Sequence, residues 1–128
     1  MVLREHEIEI RVRYQETDAQ GRVHHANYIN YFEMGRIELL RAAGFSYRLM
    51  EAAGVMLVVI EISCRYLGPA SYDDLLRLST RTVRSRGARI EHEYRLYRDA
   101  DLLAEGRSVI ACIDRAGKVQ RLPDELCP

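Results

Sequence analysis

A short polar segment near the start of the chain contains most of the side chains that could do chemistry. Residues 14–28 read YQETDAQGRVHHANY, so the carboxylate of Asp18 lies a few residues before the imidazoles of His24 and His25. A carboxylate can act as a nucleophile or general base, and an imidazole can donate a hydrogen bond or carry a proton. Asp18 could instead cap a turn, as aspartate does in Asp-x-x-Gly segments, and Gly21 follows at that spacing. Both interpretations of Asp18 stay open at this point.

The adjacent histidines also admit more than one interpretation. His25 could serve as a hydrogen-bond donor or proton shuttle, or be a structural histidine bonded to a backbone carbonyl, whereas His24 is interpreted as a surface residue. A metal site with Asp18 is disfavoured, because adjacent histidines on a strand or helix point in different directions and no third ligand has a suitable spacing. We therefore expect no metal at this segment. Since a carboxylate is by itself a sufficient nucleophile or general base for an activated carbonyl, no organic cofactor is expected either.

The elements on either side of the segment have different periodicities. Apolar residues alternate with charged ones up to Tyr14, which predicts a half-buried strand over residues 5–14 with Tyr14 on its apolar face. A broad apolar stripe then predicts a helix over residues 27–43, with Asn27 as its N-cap. Such a helix should be wrapped by a sheet. A strand and a helix that hold a polar loop between them make a rigid platform for chemistry.

The rest of the chain predicts a short helix and four strands. The helix is expected at residues 46–53 and the strands at 55–66, 75–82, 90–96 and 103–113, with a hairpin turn at 85–87. The unbroken apolar run at the start of the 55–66 strand suggests burial on both faces. This order predicts a single α+β domain over residues 1–128, with a helix on one face of an antiparallel sheet. Its sheet edges are expected to mediate dimerisation.

Composition limits the partners and the compartment. The 19 basic and 19 acidic residues balance, so nothing favours nucleic acid or an anionic membrane surface. No apolar run approaches the roughly 20 residues that span a bilayer, so membrane insertion is not expected. The cysteines are odd in number and far apart, and Met1-Val2-Leu3 runs straight into charged residues. Reduced thiols, no signal peptide and a cytoplasmic location are therefore expected.

The polar segment and the helix after it share a pattern of spaced residues. The pattern is Tyr14-x-x-Thr17-Asp18-x-x-Gly21-x-Val23-x-His25-x-x-Tyr28, followed by Phe32-Glu33 and Arg36. It resembles the signature of the hot-dog-fold acyl-CoA thioesterases of the 4-hydroxybenzoyl-CoA type, and is most similar to the branch linked to the Tol-Pal system. The resemblance covers nearly the whole chain. It implies a five-stranded antiparallel sheet wrapped around one long helix, an acyl-CoA or acyl-carrier-protein substrate, and a homodimer or homotetramer.

The resemblance also implies roles for individual residues. The carboxylate of Asp18 would attack the thioester or activate a water, and the backbone amide around His25 would hold the developing oxyanion. Tyr14 is included in the catalytic set as a residue that orients the loop, although its predicted position on the strand favours core packing. The residues predicted to bind substrate or shape its site are Thr17, Gly21, Val23, Asn27 and Tyr28. For Asn27, a role as a plain helix cap is favoured over contact with the substrate.

Three arginines form a second candidate binding group. Arg84, Arg86 and Arg89 surround the turn at Gly87 and could clamp the phosphates of coenzyme A, as basic residues near this turn do in the enzymes that the chain resembles. The alternative is a solvated turn with no ligand.

Two other functions remain compatible with the predicted fold. A dehydratase or hydratase would use a histidine base with an acidic partner, for which His25 and Glu33 are the candidates. The Thr17-Asp18-x-x-Gly21 sequence argues against it, and Glu33 is interpreted as structural, paired with Arg36. A non-catalytic acyl-CoA or acyl-carrier-protein binding module would keep the fold without turnover, and the retention of Asp18 disfavours that alternative.

Overall fold

Five antiparallel strands form one sheet in the computed structural model, which describes residues 3–127. The strands are β1 (Glu5–Arg11), β2 (Met56–Tyr66), β3 (Leu75–Arg86), β4 (Arg89–Arg98) and β5 (Asp101–Ile113). Their order across the sheet is β1-β3-β4-β5-β2, which makes β1 and β2 the two edges. Met1 and Val2, on which the expectation of no signal peptide partly rests, lie outside the described residues.

Two helices accompany the sheet. They are α1 (His25–Ala42) and α2 (Tyr47–Ala52), and the 3₁₀ turns Tyr14–Glu16 and Asp124–Leu126 complete the regular structure. Within residues 3–127, neither helix combines the length and the apolar character that a bilayer crossing requires.

The long helix α1 lies against the inner face of the sheet. Its side chains Tyr31 and Phe32 are fully buried, and the Phe32 ring stacks on Tyr94 of β4 with ring centroids 4.5 Å apart. Leu76 and Leu78 of β3 are buried in the same cluster. Each buried aromatic or leucine side chain contributes roughly 1.5–3 kcal/mol. The alternation of apolar and polar residues along β3 and β4 therefore fixes which face of the sheet receives the helix.

The close approach of α1 to the sheet depends on glycine. A Cβ atom at Gly106 of β5 would lie 2.4 Å from Cε2 of Phe32 and 2.8 Å from the backbone oxygen of Ser63. We predict that Gly106→Ala lowers the free energy of unfolding by about 1–3 kcal/mol, because the backbone oxygen cannot move aside. Urea denaturation would measure the loss. Gly68→Ala is the matched control, since its Cβ would meet only Leu103, at 3.2 Å. Equal losses in the two variants would contradict this account.

The start of the chain differs from its prediction in two places. Strand β1 ends at Arg11 rather than residue 14, because the chain turns at Arg13, whose backbone N–H donates to Oε1 of Glu16 at 2.8 Å. Tyr14 is consequently 77% exposed, and its predicted position on an apolar face is wrong. Helix α1 begins at His25, and its N-cap is His24 rather than Asn27. The Nδ1 atom of His24 accepts the backbone N–H of Ala26 at 3.1 Å, as a Ser or Asp oxygen does at other helix starts.

A third difference concerns β2. Its apolar run was predicted to be buried on both faces, but Val59 is 44% exposed and Ile60 is 49% exposed. The reason is topological: β2 pairs with β5 on one side only and forms an edge of the sheet. The other predicted strands are present, and β3 and β4 continue to a two-residue turn at Gly87 and Ala88. Gly87 has φ +63°, a conformation that glycine adopts without strain.

Candidate active site

The predicted loop residues surround one cavity at the start of α1. The cavity has a volume of about 360 Å³ and is lined by the loop, the first turn of the helix and the segment that follows β2. Four predicted residues lie in its wall: Asp18, Val23, His25 and Tyr28. The polar segment therefore forms one side of a pocket.

Asp18 both holds the loop turn and retains a free oxygen. Its Oδ1 accepts the backbone N–H of Gln20 at 2.9 Å and that of Arg22 at 3.4 Å, and its carbonyl accepts the N–H of Gly21 at 3.0 Å. Gly21 has φ +79°, so this turn requires a residue that tolerates the left-handed region. Within residues 3–127, Oδ2 accepts no hydrogen bond. The turn-capping interpretation of Asp18 is thus correct, and it is compatible with chemistry at the second oxygen.

One backbone N–H at the helix start has no partner. From Gln20 to Asn27, every backbone N–H of the described chain donates to a protein acceptor except that of His25. The first N–H groups of a helix have no acceptor within the helix and carry partial positive charge. Among the described residues, the N–H of His25 is therefore left without a protein acceptor at the start of α1.

The two histidine rings stack, with centroids 4.1 Å apart and an interplanar angle of 27°. The prediction that they point in different directions is wrong, because His24 is extended (φ −61°, ψ 138°) while His25 is the first helical residue. The imidazole of His25 is exposed and makes no hydrogen bond to residues 3–127, which disfavours its structural interpretation. In that part of the chain, no group of three or more His, Cys, Asp or Glu side chains could hold a metal ion.

A buried carboxylate that the sequence did not single out holds the loop against the helix. Glu16 is 8% exposed, and its Oε1 accepts the hydroxyl of Tyr31 at 2.8 Å as well as the Arg13 backbone. Its carbonyl accepts the side-chain amide of Asn27 at 2.9 Å and the N–H of His24 at 2.8 Å. Asn27 therefore orients the loop, as predicted, but does so as a donor to Glu16 rather than as a cap. Glu16 lies three residues after Arg13, the spacing of a capping box, which is the one signal that could have found it.

The bond between Tyr31 and Glu16 gives a stability prediction. We expect Tyr31→Phe to lower the free energy of unfolding by about 1.5–3 kcal/mol, because it removes a buried hydrogen bond to a charged acceptor. Burial and the neighbouring Glu16 already raise the pKa of Tyr31, so the hydroxyl is a neutral donor at physiological pH. Chemical denaturation would measure the loss, with Tyr72→Phe on the exposed surface as the control. If the two variants were equally stable, the bond would not secure the loop.

Other predicted residues form the base of the site rather than its open surface. Val23 is 4% exposed and Tyr28 is 3% exposed, so both pack in the core beneath the cavity. Thr17 donates its hydroxyl to the carbonyl of Tyr14 at 2.7 Å, which shapes the loop. Val23 and Tyr28 therefore support the cavity from the core, and Thr17 shapes the loop.

Tyr66, at the end of β2, is a site residue that the sequence analysis missed. Its hydroxyl donates to the carbonyl of His25 at 3.0 Å, and its ring meets that of Tyr28 edge-on, with centroids 5.0 Å apart. Burial raises the pKa of Tyr66 to about 12, so the hydroxyl stays a donor and fixes the first turn of α1. The sequence predicted Tyr66 only as the end of a strand, and no local pattern relates it to the start of α1, 41 residues away.

The predicted arginine group lies far from this cavity within one chain. Strand β3 starts beside the loop, where Leu75 pairs with Arg11, and ends at Arg86. Its eleven residue steps at about 3.3 Å each separate the hairpin from the loop by roughly 35 Å. Arg84, Arg86 and Arg89 are exposed around the hairpin turn at the opposite end of the sheet. A single chain therefore does not bring them to Asp18.

Comparison with known proteins identifies the family. A family model described as the thioesterase-like superfamily matches residues 12–128. The chain belongs to this superfamily. The acyl-CoA thioesterase YbgC of Haemophilus influenzae is 38% identical over 106 residues, which cover 82% of this chain and 78% of that protein.

Solved structures of the superfamily agree with the fold. The probable thioesterase of Bartonella henselae superposes with a TM-score of 0.88 at 36% identity, covering 93% of this chain and 99% of that one. The DHNA-CoA thioesterase of Staphylococcus aureus superposes with a TM-score of 0.89 at 28% identity, covering 92% and 80%. The predicted hot-dog fold and the predicted enzyme class, a thioester hydrolase, are confirmed. The narrower resemblance, to the 4-hydroxybenzoyl-CoA type and its Tol-Pal-linked branch, stays a prediction.

Proposed function

We propose that the protein hydrolyses an acyl-CoA thioester to a free acid and coenzyme A. In this proposal Asp18 is the nucleophile or general base, and the backbone N–H of His25 polarises the thioester carbonyl. The observation that carries it is the presence, on one cavity, of an uncommitted carboxylate oxygen and an unpaired helix N-terminal N–H. The names of relatives such as the YbgC acyl-CoA thioesterase support acyl-CoA as the substrate class.

The chemistry follows from these two groups. With the thioester oxygen at the N–H of His25, negative charge that develops on it lies at the positive end of the α1 dipole. Asp18 Oδ2 attacks the carbonyl carbon, or removes a proton from a water that attacks it, and the C–S bond breaks to release the thiolate of coenzyme A. In the nucleophilic route, water then hydrolyses the resulting anhydride. In this proposal the imidazole of His25, a residue of the same cavity, delivers a proton to the departing sulfur.

A second copy of the chain would complete the site. The edges of the sheet differ: β1 carries charged residues at alternate positions, which discourages pairing, whereas β2 exposes Val59 and Ile60 near its middle. Antiparallel pairing of two β2 edges gives a two-fold homodimer. The start of β2 lies at the hairpin end of the sheet, and its last residue, Tyr66, lines the Asp18 cavity. Such pairing therefore brings one chain's hairpin arginines towards the other chain's cavity.

The dehydratase or hydratase alternative lacks the geometry that it needs. Glu33 lies eight residues after His25, about 12 Å along the helix. It faces a different cavity and pairs with Arg36, with Nη2 and Oε2 3.7 Å apart, in agreement with its predicted structural role. An acid–base pair of His25 and Glu33 is accordingly disfavoured.

Hydrolysis of a panel of acyl-CoA thioesters, short to long and aliphatic to aromatic, tests the proposed function. We expect thiol release from at least one member, and the preferred member would define the acyl group. A folded protein that releases no thiol from the whole panel would contradict the acyl-CoA assignment. Acyl-carrier-protein thioesters would then separate a carrier-protein enzyme from a binding module.

The cytoplasmic location stays a prediction from the cysteines.

A further inference from the structure

A second cavity lies beneath the C-terminal half of α1. Its volume is also about 360 Å³, and it shares no lining residue with the Asp18 cavity. Most of its wall is apolar, contributed by Ile37 and Leu40 of α1 and by Ile90 and Ile110 of the sheet. Ligand sites of this size are mainly apolar, with a few polar groups that fix the ligand's orientation.

A buried guanidinium in this wall is incompletely partnered. Arg36 is 8% exposed, and within residues 3–127 its Nη1 is buried without a hydrogen-bond partner. Its Nη2 lies 3.7 Å from Oε2 of Glu33, which is longer than a hydrogen bond, and the Glu33 side chain is 67% exposed. A guanidinium has only donors, so the unpaired nitrogen needs an acceptor, and its positive charge favours an anionic one.

A second unpartnered nitrogen belongs to the same wall. His92 of β4 is 6% exposed, and its Nδ1 is also buried without a partner among the described residues. Burial first, and then the charge of Arg36, lower the pKa of His92 to about 4. The imidazole is therefore neutral at physiological pH and offers one donor and one acceptor. Arg36 and His92 together leave two polar atoms unsatisfied beside an apolar cavity.

We propose that this cavity binds a monocarboxylic acid with an apolar tail. The carboxylate pairs with the guanidinium of Arg36 and accepts from the imidazole N–H of His92, and the tail lies along the apolar wall. Glu33 at the surface turns towards solvent when the ligand's carboxylate replaces it. The site is separate from the thioester hydrolysis proposed at Asp18 and does not depend on it, although a free acid of this class is also what that reaction would release.

Calorimetric titration of the full-length protein with octanoate and decanoate tests this site. We expect one molecule bound per chain and affinity that rises roughly fourfold for each added methylene while the cavity still has room. Octanol and decanol are the ligand controls, and they should bind at least about tenfold more weakly because they lack the charge that pairs with Arg36. No binding of either acid, or equal binding of acid and alcohol, would overturn the proposal.

Variants locate the bound acid. Ala43 lines the cavity, whereas its neighbour Ala42 is exposed. Ala43→Phe should therefore fill part of the cavity and weaken decanoate binding at least about tenfold. Ala42→Phe is the control and should leave the affinity unchanged. Equal affinities in the two variants would place the acid elsewhere and overturn the proposal. Arg36→Met should remove the preference for acid over alcohol. If the preference were retained, Arg36 would not bind the carboxylate, and the proposal would be contradicted.

A last variant separates this proposal from the proposed function. Asp18→Asn should bind decanoate with unchanged affinity even where it no longer hydrolyses thioesters. Loss of decanoate binding in that variant would place the acid in the Asp18 cavity and overturn the second site. Absence of hydrolysis in the wild-type protein, with decanoate binding intact, would contradict the proposed function alone.

Discussion

Asp18→Asn is expected to lower kcat by about 10²–10⁴-fold on the best thioester of the panel, the range that a positioned acid–base group contributes. Asparagine cannot attack a carbonyl or remove a proton from water. Its side-chain oxygen can still accept the N–H of Gln20, so the loop turn should persist. Thiol release gives kcat, and urea denaturation of the same preparation should show nearly wild-type stability.

Asp18→Ala is the informative companion to that variant. It removes the carboxylate and also the acceptor that holds the turn, so it should lose activity to a similar extent and about 0.5–1.5 kcal/mol of stability as well. A pair of variants that are equally inactive but differ in stability would separate the chemical role from the structural one. Asp18→Asn with wild-type kcat would mean that Asp18 only caps the turn.

The sequence predicted those features of the fold that depend on local periodicity. Alternation along β3 and β4 identified the faces that pack against α1, and the motif loop identified Asp18 and His25 as neighbours at one cavity. What it could not predict depends on individual contacts rather than on periodicity. Tyr14 continues the alternation of β1, but the chain turns where Arg13 bonds to Glu16, and Tyr14 is exposed.

The helix start illustrates the same limit. Asn27 is a better cap than histidine by residue preference. In the structure, the side-chain amide of Asn27 donates to the carbonyl of Glu16 across the loop. The side chain of His24 caps the helix instead. Tyr31 lies on the apolar stripe of the helix, so the sequence predicts only that it packs in the core. No neighbouring residue in the sequence indicates its buried hydrogen bond to Glu16. Such contacts are products of tertiary structure and have no periodic signal.

The prediction that the apolar run of β2 is buried on both faces was wrong for a different reason. Residues 55–60 are as apolar as a central strand, yet the topology puts β2 at an edge, with Val59 and Ile60 exposed. An exposed apolar edge strand is a site for pairing with another chain. The exposed run fits the proposed pairing with a second copy, and that pairing would bring the hairpin arginines towards Asp18.

A mixture of two impaired variants should recover activity that neither has alone. One variant is Asp18→Asn; the other replaces Arg84, Arg86 and Arg89 with alanine, which should lower kcat/KM by at least about 10²-fold through lost phosphate contacts. Refolded together at equal concentrations, they should give roughly a quarter of the wild-type activity. Half of the dimers would be mixed, and each would contain one site with both Asp18 and the arginines.

The recovery depends on sites shared between chains, and its controls follow from that. If the arginines served the cavity of their own chain, every site in a mixed dimer would lack either Asp18 or the arginines, and the mixture would be no more active than the mean of its components. Ile60→Lys in both variants places a charge on the exposed β2 edge and should abolish the recovery together with the dimer, measured by light scattering. Recovery in a protein of monomer mass would contradict the shared site, because no second chain would be present to supply the arginines.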